Sequence, residues 1–223
     1  MASSALAIFD LDNTLLDGDC EMLWSRFLRD NHIVDDRFMQ LIDRFYQDYE
    51  LGKLDIYEYE AFLLYPLRYM PTARLLRLRR EFVAQIQPLF RSRLVARAER
   101  HRSEGDKVLL ITATNHLLIE AVAGYLGFSE VICTRVEQIT PSLTWRIKGM
   151  PAFREGKVQL LHAWLAENQK SLEGSWGYSD SHNDIPLLSL VDHPVAVTPD
   201  ETLWAYAAQR DWEIVTLLAD GDQ

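Results

Sequence analysis

The sequence predicts an α/β protein: a doubly wound parallel sheet with a block of helices inserted after its first strand. Three observations carry that expectation. Short apolar runs recur at the spacing of buried parallel strands. Helical patterns alternate with them, as they do where helices cover both faces of a sheet. One interval between two runs is about a hundred residues long, far beyond the dozen or so that a crossover needs.

Taken in order, the first apolar run is Leu6–Phe9, "LAIF". The long interval follows, and its pattern is helical in "EMLWSRFLRD", "RFMQLIDRFYQDYE", "DIYEYEAFLLYPL" and "TARLLRLRREFVAQI", with breaks at Gly52 and Pro71. The next strands are expected at Val108–Thr112, Val131–Thr134, Trp176–Ser179 and Val195–Thr198, with a last one at Trp212–Val215. Helices are expected at Leu117–Leu126, Lys157–Asn168, Pro186–Leu190 and Leu203–Gln209. The stretch Thr140–Gly149, containing "LTWRIKG", reads as a flap or hairpin. The expected organisation is a core of residues 1–16 and 103–223, with a helical unit of residues 17–102. The arginines between Arg68 and Arg102 are interspersed with Leu, Val and Ile, which reads as a solvated helix face. Trp24, Tyr46 and Phe62 fall at helical spacing and read as core, or as the lining of the helical unit.

Composition bounds the function. The 223 residues suffice for one sizeable core with an accessory unit. A net charge of -10 argues against a nucleic-acid partner held by phosphate contacts. It leaves room for a small phosphorylated metabolite, because local cations can reverse the field inside a cleft. Cys20 and Cys133 have no CxxC spacing and fit a reducing compartment. "MASSALAIF" lacks a basic stretch and its apolar run stops at Asp10, so it reads as a strand, not a signal peptide. No apolar run approaches the length of a membrane span. The expected location is cytoplasmic, with no membrane partner.

Ligands of open α/β sheets bind beyond the carboxyl ends of the strands, so those ends carry the chemistry. The first strand runs into Asp10-Leu11-Asp12, the second into Thr112-Ala113-Thr114-Asn115, and the fourth into Ser179-Asp180-Ser181-His182-Asn183-Asp184. Lys157 opens a helix in "REGK". Singly, each aspartate reads as a turn or a helix cap, and Lys157 as surface charge. As a set on one rim, they need another explanation. An EF-hand fails, because the sixth place of a loop starting at Asp10 is Leu15 and of one starting at Asp17 is Met22. A phosphate loop in "GMPAFREGKV" fails too, with six residues between the glycines and Val158 in place of the hydroxyl. His116 and His182 border the motifs and read as substrate contacts or as loop and cap residues.

With "DLDNT" at Asp10–Thr14, "ITAT" at Ile111–Thr114, Lys157 and "SDSHND" at Ser179–Asp184 in this order, the sequence resembles the haloacid dehalogenase superfamily of phosphatases over nearly its whole length. The resemblance implies a Rossmann-like core with a helical type C1 cap after the first strand. It implies Mg²⁺ as cofactor, bound by Asp10, Asp180 and the backbone carbonyl of Asp12, with Asp184 orienting waters or metal. It implies catalysis by Asp10 as nucleophile, forming an aspartyl-phosphate, and by Asp12 as general acid and base. The phosphoryl group would be held by Lys157, Thr112, Asn183 and the backbone N–H groups of Leu11, Asp12 and Ala113.

The cap resembles that of the subfamily IB hydrolases, which include phosphoserine phosphatases and bacterial histidinol-phosphate phosphatases. Phosphoserine phosphatases carry a Glu nine residues after the nucleophile, and Asp19 stands there. They also carry arginines nine and eleven residues after the Gly of "GKL", the second of which grips the serine carboxylate. After Gly52–Leu54 those positions are Ala61 and Leu63. An amine contact without a carboxylate contact implies an amino-alcohol phosphate such as L-histidinol phosphate, facing Asp17, Asp19 and Glu21. Phosphoserine hydrolysis, phosphoryl transfer to an alcohol and a non-catalytic phosphate-binding module are the alternatives.

Overall fold

The computed structural model describes residues 5–140 and 143–217. Its centre is a six-stranded sheet in the order β3-β2-β1-β6-β7-β8. The strands are β1 (Leu6–Phe9), β2 (Lys107–Asn115), β3 (Glu130–Thr134), β6 (Trp176–Ser179), β7 (His193–Val197) and β8 (Glu213–Val215), every neighbouring pair parallel. A two-stranded antiparallel hairpin, β4 (Val136–Ile139) and β5 (Thr144–Ile147), completes the strands. It begins before the flap read from the sequence.

β1 is central because it is apolar on both faces. Ala7 and Phe9 pack with Leu94, Ala98, Leu118 and Val122 on one side, and Leu6 and Ile8 with Leu161 and Leu165 on the other. Those residues belong to α5 (Ser92–Glu104), α6 (His116–Tyr125) and α7 (Glu155–Asn168), which sandwich the sheet. Gly177 of β6 has no room for a side chain, since a Cβ there would meet Val191 at 3.0 Å. The short helices α8 (Ile185–Leu188) and α9 (Glu201–Ala208) cover the β6–β8 end.

Between β1 and β2 run α1 (Cys20–Asp30), α2 (Asp36–Glu50), α3 (Ile56–Leu64), α4 (Thr72–Ile86) and α5. Asp19, Asp35 and Asp55 cap the first three, each accepting from an N–H of the following turn. Trp24 is core, with its ring 5.4 Å from Phe27 and 5.1 Å from Phe82. Phe62 stacks on Phe38. The arginines pair with acids: Arg79 with Glu120, Arg91 with Asp17, Arg97 with Glu213 and Arg102 with Glu99. Helix α5, which a boundary at residue 102 assigns to the insertion, packs on the sheet. Its His101 reaches the Tyr178 hydroxyl at 2.8 Å, and its ring lies edge-on to Phe9.

Element ends differ from the sequence reading where backbone conformation, not hydropathy, sets them. β2 runs on to Asn115 through a register shift after Thr112. β7 stops at Val197 because Thr198 turns to φ 41°. Helix α7 starts at Glu155, two residues before Lys157. Among the described residues, no helix is long and apolar enough to cross a membrane.

Candidate active site

The carboxyl ends of β1, β2 and β6 meet over one pocket, and Asp10 lies at its floor. The turn after it is tight: Leu15 and Leu16 donate to the Leu11 carbonyl, and Asn13 takes φ 52°, a conformation Asn tolerates better than most residues. That turn returns Asp12 to the same opening. Asp10 Oδ1 accepts from Lys157 Nζ at 2.8 Å, and Oδ2 from the Thr14 hydroxyl at 3.2 Å. The same hydroxyl is 3.4 Å from Asp180 Oδ1, so carboxylates from two strand ends converge on it. Lys157 also donates to Asp184 Oδ2 at 2.7 Å, and the Ser179 hydroxyl donates to that oxygen at 2.7 Å.

Lys157 reaches this floor because the loop before α7 is compact. Gly156 sits against the Pro151 carbonyl, where any Cβ would collide. Arg154 adopts φ 51° and ψ -124°, strained for a residue with a side chain, to turn the chain into the helix.

The charges are unevenly balanced. Burial raises Asp10 to about 6, against the pull of Lys157, and Asp184 adds to the rise. Burial, then Asp10 and Asp184, raise Asp180 to about 8. Asp12 lies well above the usual carboxylate range through burial and the nearby charges of Asp19 and Asp10. Burial pushes the Lys157 ammonium down, but Asp10 and Asp184 push it up by more. Asp12 Oδ1 accepts from the Cys20 N–H at 2.7 Å, while Oδ2 faces the hydroxyls of Thr114 at 3.1 Å and Thr112 at 3.4 Å.

A second chamber adjoins this pocket and shares Asp12, Asp19, Tyr46, Tyr49, Ala113 and Phe153 with it. Glu21, Phe45 and Tyr59 add to its wall, and among the described residues no basic one does. Tyr49 is the contact between the two sides: its hydroxyl accepts from Asn183 Nδ2 at 3.0 Å.

Most residues expected from the sequence are brought together here. Asp10, Asp12, Ala113, Lys157, Asp180, Asn183 and Asp184 line the inner pocket. Thr112 is buried beside Asp12, and the Leu11 N–H is directed at the Asp10 carboxylate. Asp19 lines both chambers while capping α1, and Glu21 lines the outer one. Asp17 is not brought in. It is exposed, and its carboxylate bonds Arg91 at 2.9 Å, because Leu16–Gly18 turns it outward. His116 accepts from the Val136 N–H and His182 bonds Asp200, so both tie loops together. Sequence reasoning missed Tyr49, Tyr59 and Glu60, and placed Asn115 at a strand end without giving it a role. Only Glu60 carried a signal, as an acid on the buried stripe of Ile56, Leu63 and Leu64.

The family described as haloacid dehalogenase-like hydrolase matches residues 7–189. A histidinol-phosphatase from Neisseria meningitidis serogroup C is 36% identical over 220 residues, 94% of this chain and 97% of the relative. The phosphoserine phosphatase SerB1 of Mycobacterium tuberculosis is 30% identical over 222 residues, 95% of this chain and 70% of the relative. A solved protein of unknown function from Bordetella pertussis Tohama I superposes with a TM-score of 0.86 at 32% identity, covering 96% of this chain and 99% of its own. The strand ends, the inserted helices and the family match agree: this chain belongs to the haloacid dehalogenase-like hydrolases.

Proposed function

We propose that the chain is a Mg²⁺-dependent phosphatase that hydrolyses a small amine-bearing phosphate monoester through a phosphorylated Asp10. L-histidinol phosphate is the proposed substrate, with the helical unit as the cap that shields it from water. The observation that carries this reading is the junction of two pockets. The inner one holds the buried Asp10 carboxylate beside Lys157, and the outer one is acidic and aromatic with no basic residue in its wall among the described residues.

The residues present fit Mg²⁺, a hard cation that takes oxygen ligands and keeps several waters. Asp10 and Asp180 converge on the Thr14 hydroxyl, and burial, with the carboxylates gathered around them, raises both. They would hold the ion together with the Asp12 carbonyl. Asp184, bonded to Lys157 and Ser179, takes a supporting part. The bound ion supplies neutralisation of the phosphoryl oxygens, so that an anionic nucleophile can approach.

The chain's own residues do the rest. Lys157 and the Thr112 and Asn183 side chains bind phosphoryl oxygens. An Asp10 oxygen bonds to phosphorus as the ester P–O bond breaks. Asp12, kept protonated by burial and by its acidic neighbours, gives its proton to the leaving alkoxide. It then takes a proton from water, which attacks phosphorus and returns Asp10 to its carboxylate with release of inorganic phosphate.

The outer chamber supports an amine-bearing leaving group. A substrate carboxylate there would meet Asp12, Asp19 and Glu21 without a guanidinium, and Leu63, at one of the positions where phosphoserine phosphatases carry arginine, is buried core. The histidinol-phosphatase relative is more similar than the phosphoserine phosphatase relative and more fully covered, in line with this reading. Turnover of histidinol phosphate, phosphoethanolamine and phosphoserine with Mg²⁺ tests it. The highest kcat/KM is expected for histidinol phosphate; a wide margin for phosphoserine overturns the substrate assignment.

A further inference from the structure

At the outer chamber the insertion buries a pair of carboxylates for which the hydrolytic steps have no use. Glu21 comes from the first turn of α1 and lines the chamber. Glu60 comes from α3 and is completely buried on a helix face that is otherwise apolar. Asn115, buried at the end of β2, ties them together. Its Nδ2 donates to Glu21 Oε1 at 2.9 Å and to Glu60 Oε2 at 3.3 Å, and its backbone N–H donates to Glu21 Oε1 at 3.1 Å.

The arrangement is incomplete. Glu60 Oε1 and Asn115 Oδ1 are buried acceptors with no hydrogen-bond partner. Among the described residues, no lysine, arginine or histidine forms an ion pair with either glutamate. Burial and the neighbouring acids push Glu21 well above the usual carboxylate range, and burial pushes Glu60 to about 8. A fold that needed only to fill this space would do better with glutamine or leucine, which carry no charge to desolvate. Glu21 alone of the three lines the chamber, so its carboxyl, backed by Glu60 and Asn115, is the acceptor that a cationic donor there would meet.

We propose that Glu21 and Glu60, bridged by Asn115, form the subsite that receives a cationic nitrogen of the leaving group, an ammonium or an imidazolium. Glu21 makes the contact from the chamber wall. Glu60 is a positioning residue, since it touches Glu21's partner Asn115 and is not itself in the wall. Tyr59, in the wall beside Glu21, orients the same carboxylate. The rings of Phe45 and Tyr46 give a cation a favourable apolar face. The subsite rests on the amine-bearing reading above and names the residues that would enforce it.

The test compares a cationic ester, histidinol phosphate, with p-nitrophenyl phosphate, which has no amine, in the wild type, Glu21→Gln and Glu60→Gln. Glutamine keeps the size and the acceptor for Asn115 and removes the charge. The preference, measured as the ratio of kcat/KM for the two esters, is expected to fall at least about 10-fold in each variant, mostly through KM for the cationic ester. A merely structural role lowers both substrates together and leaves the ratio unmoved, which overturns the subsite. Melting curves run beside the kinetics report folding. If the wild type turns over no cationic ester, the substrate-class reading falls and the subsite with it. If it does so and Glu60→Gln keeps its preference, only the subsite falls.

Discussion

Asp10 and Asp184 share Lys157, whereas Glu21 and Glu60, at the adjoining chamber, share Asn115 and a hydrogen bond with each other. Both groups are buried, so the difference lies in what offsets the charge. Around Asp10 a lysine is built into the fold and is itself held by two carboxylates. Around Glu21 the fold supplies hydrogen bonds and no cation. On the proposed reading, charge needed in every turnover is fixed in the chain, while charge that selects a substrate is left for the substrate to balance. That contrast can be broken from either side.

The largest effect is expected at Asp10. Asp10→Asn keeps the shape and removes the nucleophile, so kcat for phosphate release should fall at least about 10⁴-fold with an unchanged circular dichroism spectrum. Chelation with EDTA should abolish turnover, and added Mg²⁺ should restore it. Turnover that survives either treatment breaks the inner half of the comparison.

Next comes Lys157→Met, which leaves Asp10 and Asp184 buried with no counter-charge. Removing one partner of a buried ion pair costs about 3–5 kcal/mol, so urea unfolding should lose that much, beside a kcat loss of about 100-fold or more. A loss below about 1 kcal/mol would mean that the inner carboxylates, like the outer pair, simply hold protons.

The two groups were also unequally legible in the sequence. Asp10, Asp12, Asp180 and Asp184 follow apolar strands, and a strand end in a parallel sheet marks a binding rim whatever the rest of the chain does. Lys157 was legible through "REGK", although the helix starts earlier than its charge pattern implies. Tyr49 was not legible, and Asn115 was legible only as a strand-end residue, because their meaning depends on how α2 and β2 meet across the chain. Asp17 misled for the same reason: it is close in sequence to Asp19, but one turn sends it to Arg91. Glu60 stood on an apolar helix stripe, the one local anomaly that sequence alone offered there.

Glu60→Gln sharpens the comparison through stability. The carboxyl of Glu60 titrates at about 8 in the fold, against an ordinary value of 4.5. A proton held more tightly by the folded state stabilises it fully below pH 4.5, and that contribution is lost as pH rises through about 8. Glutamine has no such dependence. The variant should therefore gain on the wild type as pH rises from 5 to 8, by about 3 kcal/mol, or roughly 6–12 °C in Tm. Stability rising as the cationic preference falls would mark a residue kept for function at the expense of the fold. An equal Tm difference at pH 5 and pH 8 would show that Glu60 is not an uncompensated acid.

The smallest expected effect lies on the wall between the two groups. Tyr49 lines both chambers, and its hydroxyl accepts from Asn183 and bonds Ser181, so it joins α2 to the loop after β6. Tyr49→Phe deletes that acceptor and keeps the ring, which should cost about 0.5–1.5 kcal/mol and raise KM a few-fold with little change in kcat. Asn183→Ala alone should lower kcat as well, since Asn183 belongs to the phosphate side. The double variant decides whether the wall couples them. Coupling of about 0.5 kcal/mol or more in kcat/KM means that the cap is registered on the phosphate site through this contact. Strict additivity means that the acidic chamber and the Asp10 pocket select and react independently, and their contrast in charge balance is then a difference between neighbours and not a division of labour.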